Sequence, residues 1–239
     1  MRAIAVIPAR MGASRFPGKP LAPLGGRPMI EHVYRGTVAC PYLDEVLVAT
    51  CDRVIHDAVV GFGGQVALTA ASHVRASDRV AEVSARDPAE IVVMVQGDEP
   101  MVEPEMVSAA IDGLVRTPDV GCVNLMAPID GERDARDPNT IKVVTSATGR
   151  ALFLSRAMVP SRFAPGTLHK QVCVIAFRRA ALARFAALSP GPLERLESID
   201  MLRFLEHDLP VQMIPTIART QAVDTREDLA RVSRLMGFA

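Results

Sequence analysis

Three cations and two carboxylates are the side chains in this sequence best suited to chemistry. Arg10, Arg15 and Lys19 lie close together, interleaved with Gly12, Ser14 and Gly18. Glycine lets backbone N–H groups approach a ligand closely, and cations beside such a backbone suit a triphosphate. This is not a Walker A loop, because Gly18-Lys19 is followed by Pro20. Taken alone, the segment can equally be a solvated basic turn. Asp98 follows the apolar run 91–95 after Gln96-Gly97, so its carboxylate emerges at a strand's carboxyl end. A magnesium ion bridging phosphate oxygens needs one or two such carboxylates. Asp224 lies between the strand-like pair Ala222-Val223 and a helical stretch. It can be a second metal ligand, or a helix N-cap with Glu227 three residues on.

The elements that must position these residues alternate between strand and helix. Short apolar runs at 4–8, 46–49, 65–68 and 91–95 predict buried strands. Helices are expected at 28–38, opened by Pro28; at 53–60, stopped by Gly61; at 77–84, capped by Ser77; and at 103–114. This order implies parallel βαβ units, whose ligands bind beyond the carboxyl ends of the strands. After Val120 the strand candidates 121–125, 140–144, 151–154 and 172–177 have no full helices between them, which suggests an arm or a second small sheet. Helices return at 179–188, 193–206 and 226–236. No internal repeat or linker divides the chain, so residues 1–239 are expected to form one domain.

Composition excludes several classes. Hydrophobic residues make up 49% of 239, and 27 basic residues balance 27 acidic ones. A folded core is expected; a nucleic-acid-binding surface or a membrane segment is not. The absence of an early apolar leader suggests a cytoplasmic protein. Cys40, Cys51, Cys122 and Cys173 are scattered without metal-ligand spacing and are expected to be packed thiols. Lysine occurs only at 19, 142 and 170, which makes each of the three worth attention.

Several motifs in order resemble the 3-deoxy-manno-octulosonate (KDO) cytidylyltransferase family. They are Ile7-Pro8-Ala9-Arg10, residues 15–21 (Arg-Phe-Pro-Gly-Lys-Pro-Leu), Gln96-Gly97-Asp98-Glu99-Pro100, residues 139–144, Ser155-Arg156 and Val223-Asp224-Thr225. The resemblance runs from the first strand to the last helix. It implies an α/β, Rossmann-like nucleotidyltransferase with a mostly parallel central sheet and a small dimerisation arm over about residues 130–170. It further implies CTP as donor, Mg2+ as cofactor and a homodimer. By the same resemblance Arg10, Ser14, Arg15 and Lys19 hold the triphosphate, Ser77 and Gln96 lie beside the nucleotide, and Asp98 and Asp224 hold the metal. Arg10, Lys19 and Asp98 are then the catalytic set.

The departures cluster on the acceptor side. Where the family usually carries Lys-His-Ile-Gly, this chain has Lys170-Gln171-Val172-Cys173; for Leu-Glu-Gln-Leu-Arg it has Ile199-Asp200-Met201-Leu202-Arg203. The loop usually written Ser-Gly-Thr-Asp-Arg reads Arg75-Ala76-Ser77-Asp78-Arg79. Gln171, Asp200, Met201 and Arg75 are therefore the expected acceptor-side residues. Each change can be drift. Together they remove hydroxyl-binding groups and add a guanidinium, which favours a compact acidic acceptor such as phosphonoformate, giving CMP-phosphonoformate. The alternatives are KDO itself and a non-catalytic nucleotide-binding protein, against which the retained Lys19, Asp98 and Asp224 argue.

Overall fold

The N-terminal apolar run forms β1 (Ala3–Pro8), buried at every position. The computed structural model describes residues 1–12 and 15–238. After a 3-10 turn at Lys19–Leu21, a short hairpin pairs β2 (Pro23–Leu24) with β3 (Arg27–Pro28) and leads into α1 (Met29–Val38). Pro28 thus precedes the helix as its N-cap. Next come β4 (Glu45–Thr50), α2 (Arg53–Gly61), β5 (Val66–Leu68), α3 (Ala76–Ser84), β6 (Ile91–Val95) and α4 (Pro104–Arg116). Every strand and helix expected in this half is present, with ends shifted by a residue or two.

The second half holds β7 (Cys122–Pro128), α5 (Gly131–Arg136), β8 (Lys142–Thr145), β9 (Ala151–Ser155) and β10 (His169–Arg178). Then follow α6 (Arg179–Ala187), α7 (Pro192–Glu197), α8 (Leu202–Glu206), β11 (Val211–Pro215) and α9 (Arg226–Leu235). The expected helix 193–206 is two short helices, because Ser198 adopts a left-handed conformation at φ 55° that no α-helix accommodates. Residues 222–223 lie outside any strand; the strand of this region is β11, which runs earlier in the chain.

The sheet order is β11-β7-β10-β6-β1-β4-β5. Pairs β1–β4, β1–β6, β4–β5 and β11–β7 are parallel, and β10 runs antiparallel between β6 and β7. The second-half strands thus extend the same sheet: β8 pairs with both β9 and the start of β10. Alternation along the strands fills both faces. Ala5, Ile7 and Val93 join one core with α1 and α4, while Ile4, Val6 and Met94 join the other with α3, α6 and α8. The carboxyl ends of β1 and β6 emerge side by side, and the loops after them form the functional cleft. Gly97 is required there, because a Cβ would stand 2.8 Å from the Pro8 carbonyl oxygen.

Candidate active site

Two apolar anchors place the basic loop. Gly18, at φ 75°, donates its N–H to the Met11 carbonyl and starts the 3-10 turn that carries Lys19. Phe16 is buried in a small core with Leu24, Met29, Val223 and Val232. That core ties the loop to the segment bearing Asp224. The Val223 N–H also donates to the Asp98 carbonyl at 2.9 Å, which brings the two acidic residues together.

Lys19 Nζ then lies 2.8 Å from Asp98 Oδ2 and 3.5 Å from Asp224 Oδ1. Arg15 Nη2 reaches Asp224 Oδ1 at 2.9 Å. Burial opposes the Lys19 charge, but the two carboxylates outweigh it and raise its pKa. Asp224 is pushed up, by burial first and then by Asp98. Its carboxylate is not a helix cap. Thr225 is the N-cap of α9: its Oγ1 accepts from the Asp228 N–H at 3.1 Å, and Asp228 Oδ2 accepts from the Thr225 N–H at 2.9 Å. The capping pattern is real but falls one residue later, leaving the Asp224 carboxylate to the cleft.

Asp98 and Asp224 fit a divalent cation. Both already face one positive group, the Lys19 ammonium. Among the described residues no cluster of three His, Cys, Asp or Glu side chains stands ready as a complete metal site. A hard cation held here would therefore complete its shell with phosphate oxygens and water, as magnesium usually does.

Arg10, Arg15, Lys19, Gln96, Asp98 and Asp224 all line one cleft of about 380 Å³. Ser14 lies outside the described residues. Ser77 is displaced from its expected role. It is fully buried in the first turn of α3, and its N–H and hydroxyl both donate to Asp200 Oδ2, at 3.1 and 2.8 Å. Nor does it cap α3, where Arg75 holds the N-cap position.

Arg75, Gln171, Asp200 and Met201, the residues expected on the acceptor side, line the same cleft, together with Arg156 and Ser198. Met201 is fully buried and forms part of the apolar floor. Gln171 Nε2 donates to Asn124 Oδ1 at 2.6 Å. Asn124 in turn donates to the Val172 carbonyl at 2.7 Å, where a register shift interrupts the β7–β10 pairing. Burial raises the Asp200 pKa. Arg75 lines the cleft, but its guanidinium is engaged with Glu194, Ser198 and Asp200. It is not the free cation expected for a compact anion.

Besides Arg156 and Ser198, Glu99 and Cys173 escaped the sequence reading as cleft residues. Glu99 is buried next to Asp98, and burial pushes its carboxyl up to about 7. Its place in the Gln96–Pro100 motif was the available signal, but nothing in the residue types separates it from a surface carboxylate. Cys173 lines the cleft as well, with its thiol pKa raised well above the ordinary range by burial and then by Glu99. The lysines divide by role. Lys142 is fully buried, donating to the Asp137 and Thr140 carbonyls. Lys170 lines the cleft and donates to the Thr220 carbonyl at 2.8 Å.

Comparison with known proteins gives a consistent picture. A cytidylyltransferase family profile matches residues 4–213. The 3-deoxy-manno-octulosonate cytidylyltransferase of Syntrophotalea carbinolica is 42% identical, covering 97% of both chains. That of Myxococcus xanthus is 41% identical over 98% of this chain and 96% of its own. The solved structure of CMP:2-keto-3-deoxy-manno-octonic acid synthetase complexed with CTP superimposes with a TM-score of 0.91 at 35% identity, covering 99% of this chain and 98% of that one.

Proposed function

The chain belongs to the cytidylyltransferase family, and on that premise we propose that it transfers CMP from CTP to 3-deoxy-manno-octulosonate, with magnesium as cofactor. The observation that carries the acceptor reading is the lining of the cleft. Asn139 and Thr140 line it with side chains that pair with hydroxyls. The compact phosphonate favoured by the sequence departures needs a free guanidinium, and that of Arg75 is already engaged with Glu194, Ser198 and Asp200. The relatives named above point the same way, to KDO over phosphonoformate. One observation still favours the phosphonate as a second reading: Met201 is buried and Gln171 is turned onto Asn124, leaving fewer hydroxyl partners than the family's usual His and Glu-Gln.

In this reaction an acceptor hydroxyl oxygen attacks the α-phosphorus of CTP, the bond to the β-phosphate oxygen breaks, and pyrophosphate leaves. Arg10, Arg15 and Lys19 bind the triphosphate, and Lys19 offsets charge building on the leaving pyrophosphate. Gln96 lies beside the nucleoside. Asp98 and Asp224 would hold magnesium, which when bound would neutralise phosphate charge and polarise the phosphorus centre. Catalysis is mostly positioning and charge neutralisation, and no side chain becomes covalently attached. The working unit is a homodimer joined through the region 130–170. Phosphorus NMR of CTP, Mg2+ and KDO with the enzyme tests the assignment. Paired growth of a CMP phosphodiester and pyrophosphate is expected. Release of CMP and pyrophosphate without an ester would contradict it.

A further inference from the structure

The break between α7 and α8 falls at the cleft, and two arginines hold it from opposite sides. From the start of α3, Arg75 donates through Nη1 to Ser198 Oγ at 2.6 Å and through Nη2 to the Glu194 carbonyl at 3.1 Å. Its Nε lies 3.2 Å from Glu194 Oε1 and 3.9 Å from Asp200 Oδ1. From the end of β9, Arg156 donates to the Glu197 carbonyl at 2.6 Å and to the Ser198 carbonyl at 3.3 Å. Between them Ser198 keeps φ at 55°, a left-handed conformation that a non-glycine residue holds only when its surroundings impose it. Ile199 anchors the loop in the core below, and Asp200 Oδ2 is tied to Ser77.

We propose that Arg75 is a specificity-determining positioning residue. It fixes the 197–200 loop as the acceptor-facing wall, acting through Ser198 and Asp200 and not by touching the acceptor. The inference rests on the reading that this end of the cleft takes the acceptor. All three guanidinium nitrogens of Arg75 already have partners on α7 or in the break. Glu194 is fully buried, but Arg203 holds it bidentately at 2.7 and 2.8 Å, so removing Arg75 does not leave that carboxylate unpaired.

The test combines kinetics with hydrogen exchange on the intact protein. Arg75→Ala is expected to raise the acceptor KM about tenfold or more while the CTP KM stays within about twofold. Backbone amides at 198–200 should exchange about tenfold faster. Arg75→Lys should not rescue either readout, since a single ammonium cannot serve a hydroxyl, a carbonyl and a carboxylate in one plane. Ser198→Ala, which keeps the charge but removes the Nη1 partner, should move both readouts in the same direction, and it decides the matter if Arg75→Ala fails to fold. A raised acceptor KM with unchanged loop exchange would mean that Arg75 contacts the acceptor, and would overturn the proposal. So would equal losses for CTP and acceptor. If the wild type turns over neither KDO nor phosphonoformate, the acceptor reading fails, while the exchange comparison still decides whether Arg75 holds the loop.

Discussion

Asp98, Asp224 and Lys19 account for most of the chemistry assigned to this protein, and they make separable predictions. Asp98→Asn and Asp224→Asn are each expected to lower kcat about a hundredfold or more, the scale of losing a group that stabilises transition-state charge. Because Thr225 carries the cap of α9, Asp224→Asn should keep its thermal midpoint while Thr225→Ala loses about 1 kcal/mol. Thermal unfolding beside steady-state kinetics checks both; an Asp224→Asn variant that is destabilised but fully active would restore the capping role. Lys19→Ala should raise the CTP KM about tenfold to a hundredfold, the range of a lost charge-assisted hydrogen bond, and leave the acceptor KM nearly unchanged. Unaltered CTP kinetics would remove Lys19 from the triphosphate site. At this scale Asp98 was legible because an apolar strand points straight at it. Asp224 was ambiguous because a cap and a ligand have the same residue type. That Ser77 is turned onto Asp200 was not legible, because this partner is 123 residues away.

Elements were legible where local pattern and tertiary packing agree. The continuous apolar runs of β1 and β6 sit at the centre of the sheet, and periodicity found both. The 193–206 stretch keeps helical periodicity throughout, yet breaks at Ser198, where long-range bonds from Arg75 and Arg156 override it. No local signal announces such a break, and it falls at the acceptor wall. The same long-range logic clips the N-terminus. Arg2 reaches Glu45 on β4 at 2.8 Å and Asp87, in the turn before β6, at 2.9 Å. The Arg2 hydrogen bond, and then the Ala89 N–H, hold the Asp87 carboxyl below its ordinary 3.8. A depressed pKa stabilises the fold above the unfolded value, and the contribution is lost as pH falls through the folded value. Asp87→Asn should therefore cost about 0.5–1 kcal/mol at pH 7, with the gap to wild type closing as pH falls below the ordinary value of 3.8. Urea denaturation across that range measures it; a pH-independent gap would assign the effect to packing.

For the whole molecule, the alternation of strands and helices gave the parallel half of the sheet, but the arm or second small sheet expected after Val120 is part of the same sheet, because β10 inserts antiparallel between β6 and β7 through pairings no local window contains. The region 130–170 leaves Leu152 60% exposed and Phe163 fully exposed, apolar surface that a second copy would cover. A homodimer is expected at micromolar concentration, and Leu152→Glu should shift its mass toward the monomer; a wild-type monomer would contradict this. The acceptor side of this cleft remains the point on which the functional account turns. Its most direct test is the ratio of kcat/KM for KDO over phosphonoformate, measured as pyrophosphate release from CTP with Mg2+. The account predicts a ratio well above one, and a ratio below one would contradict it.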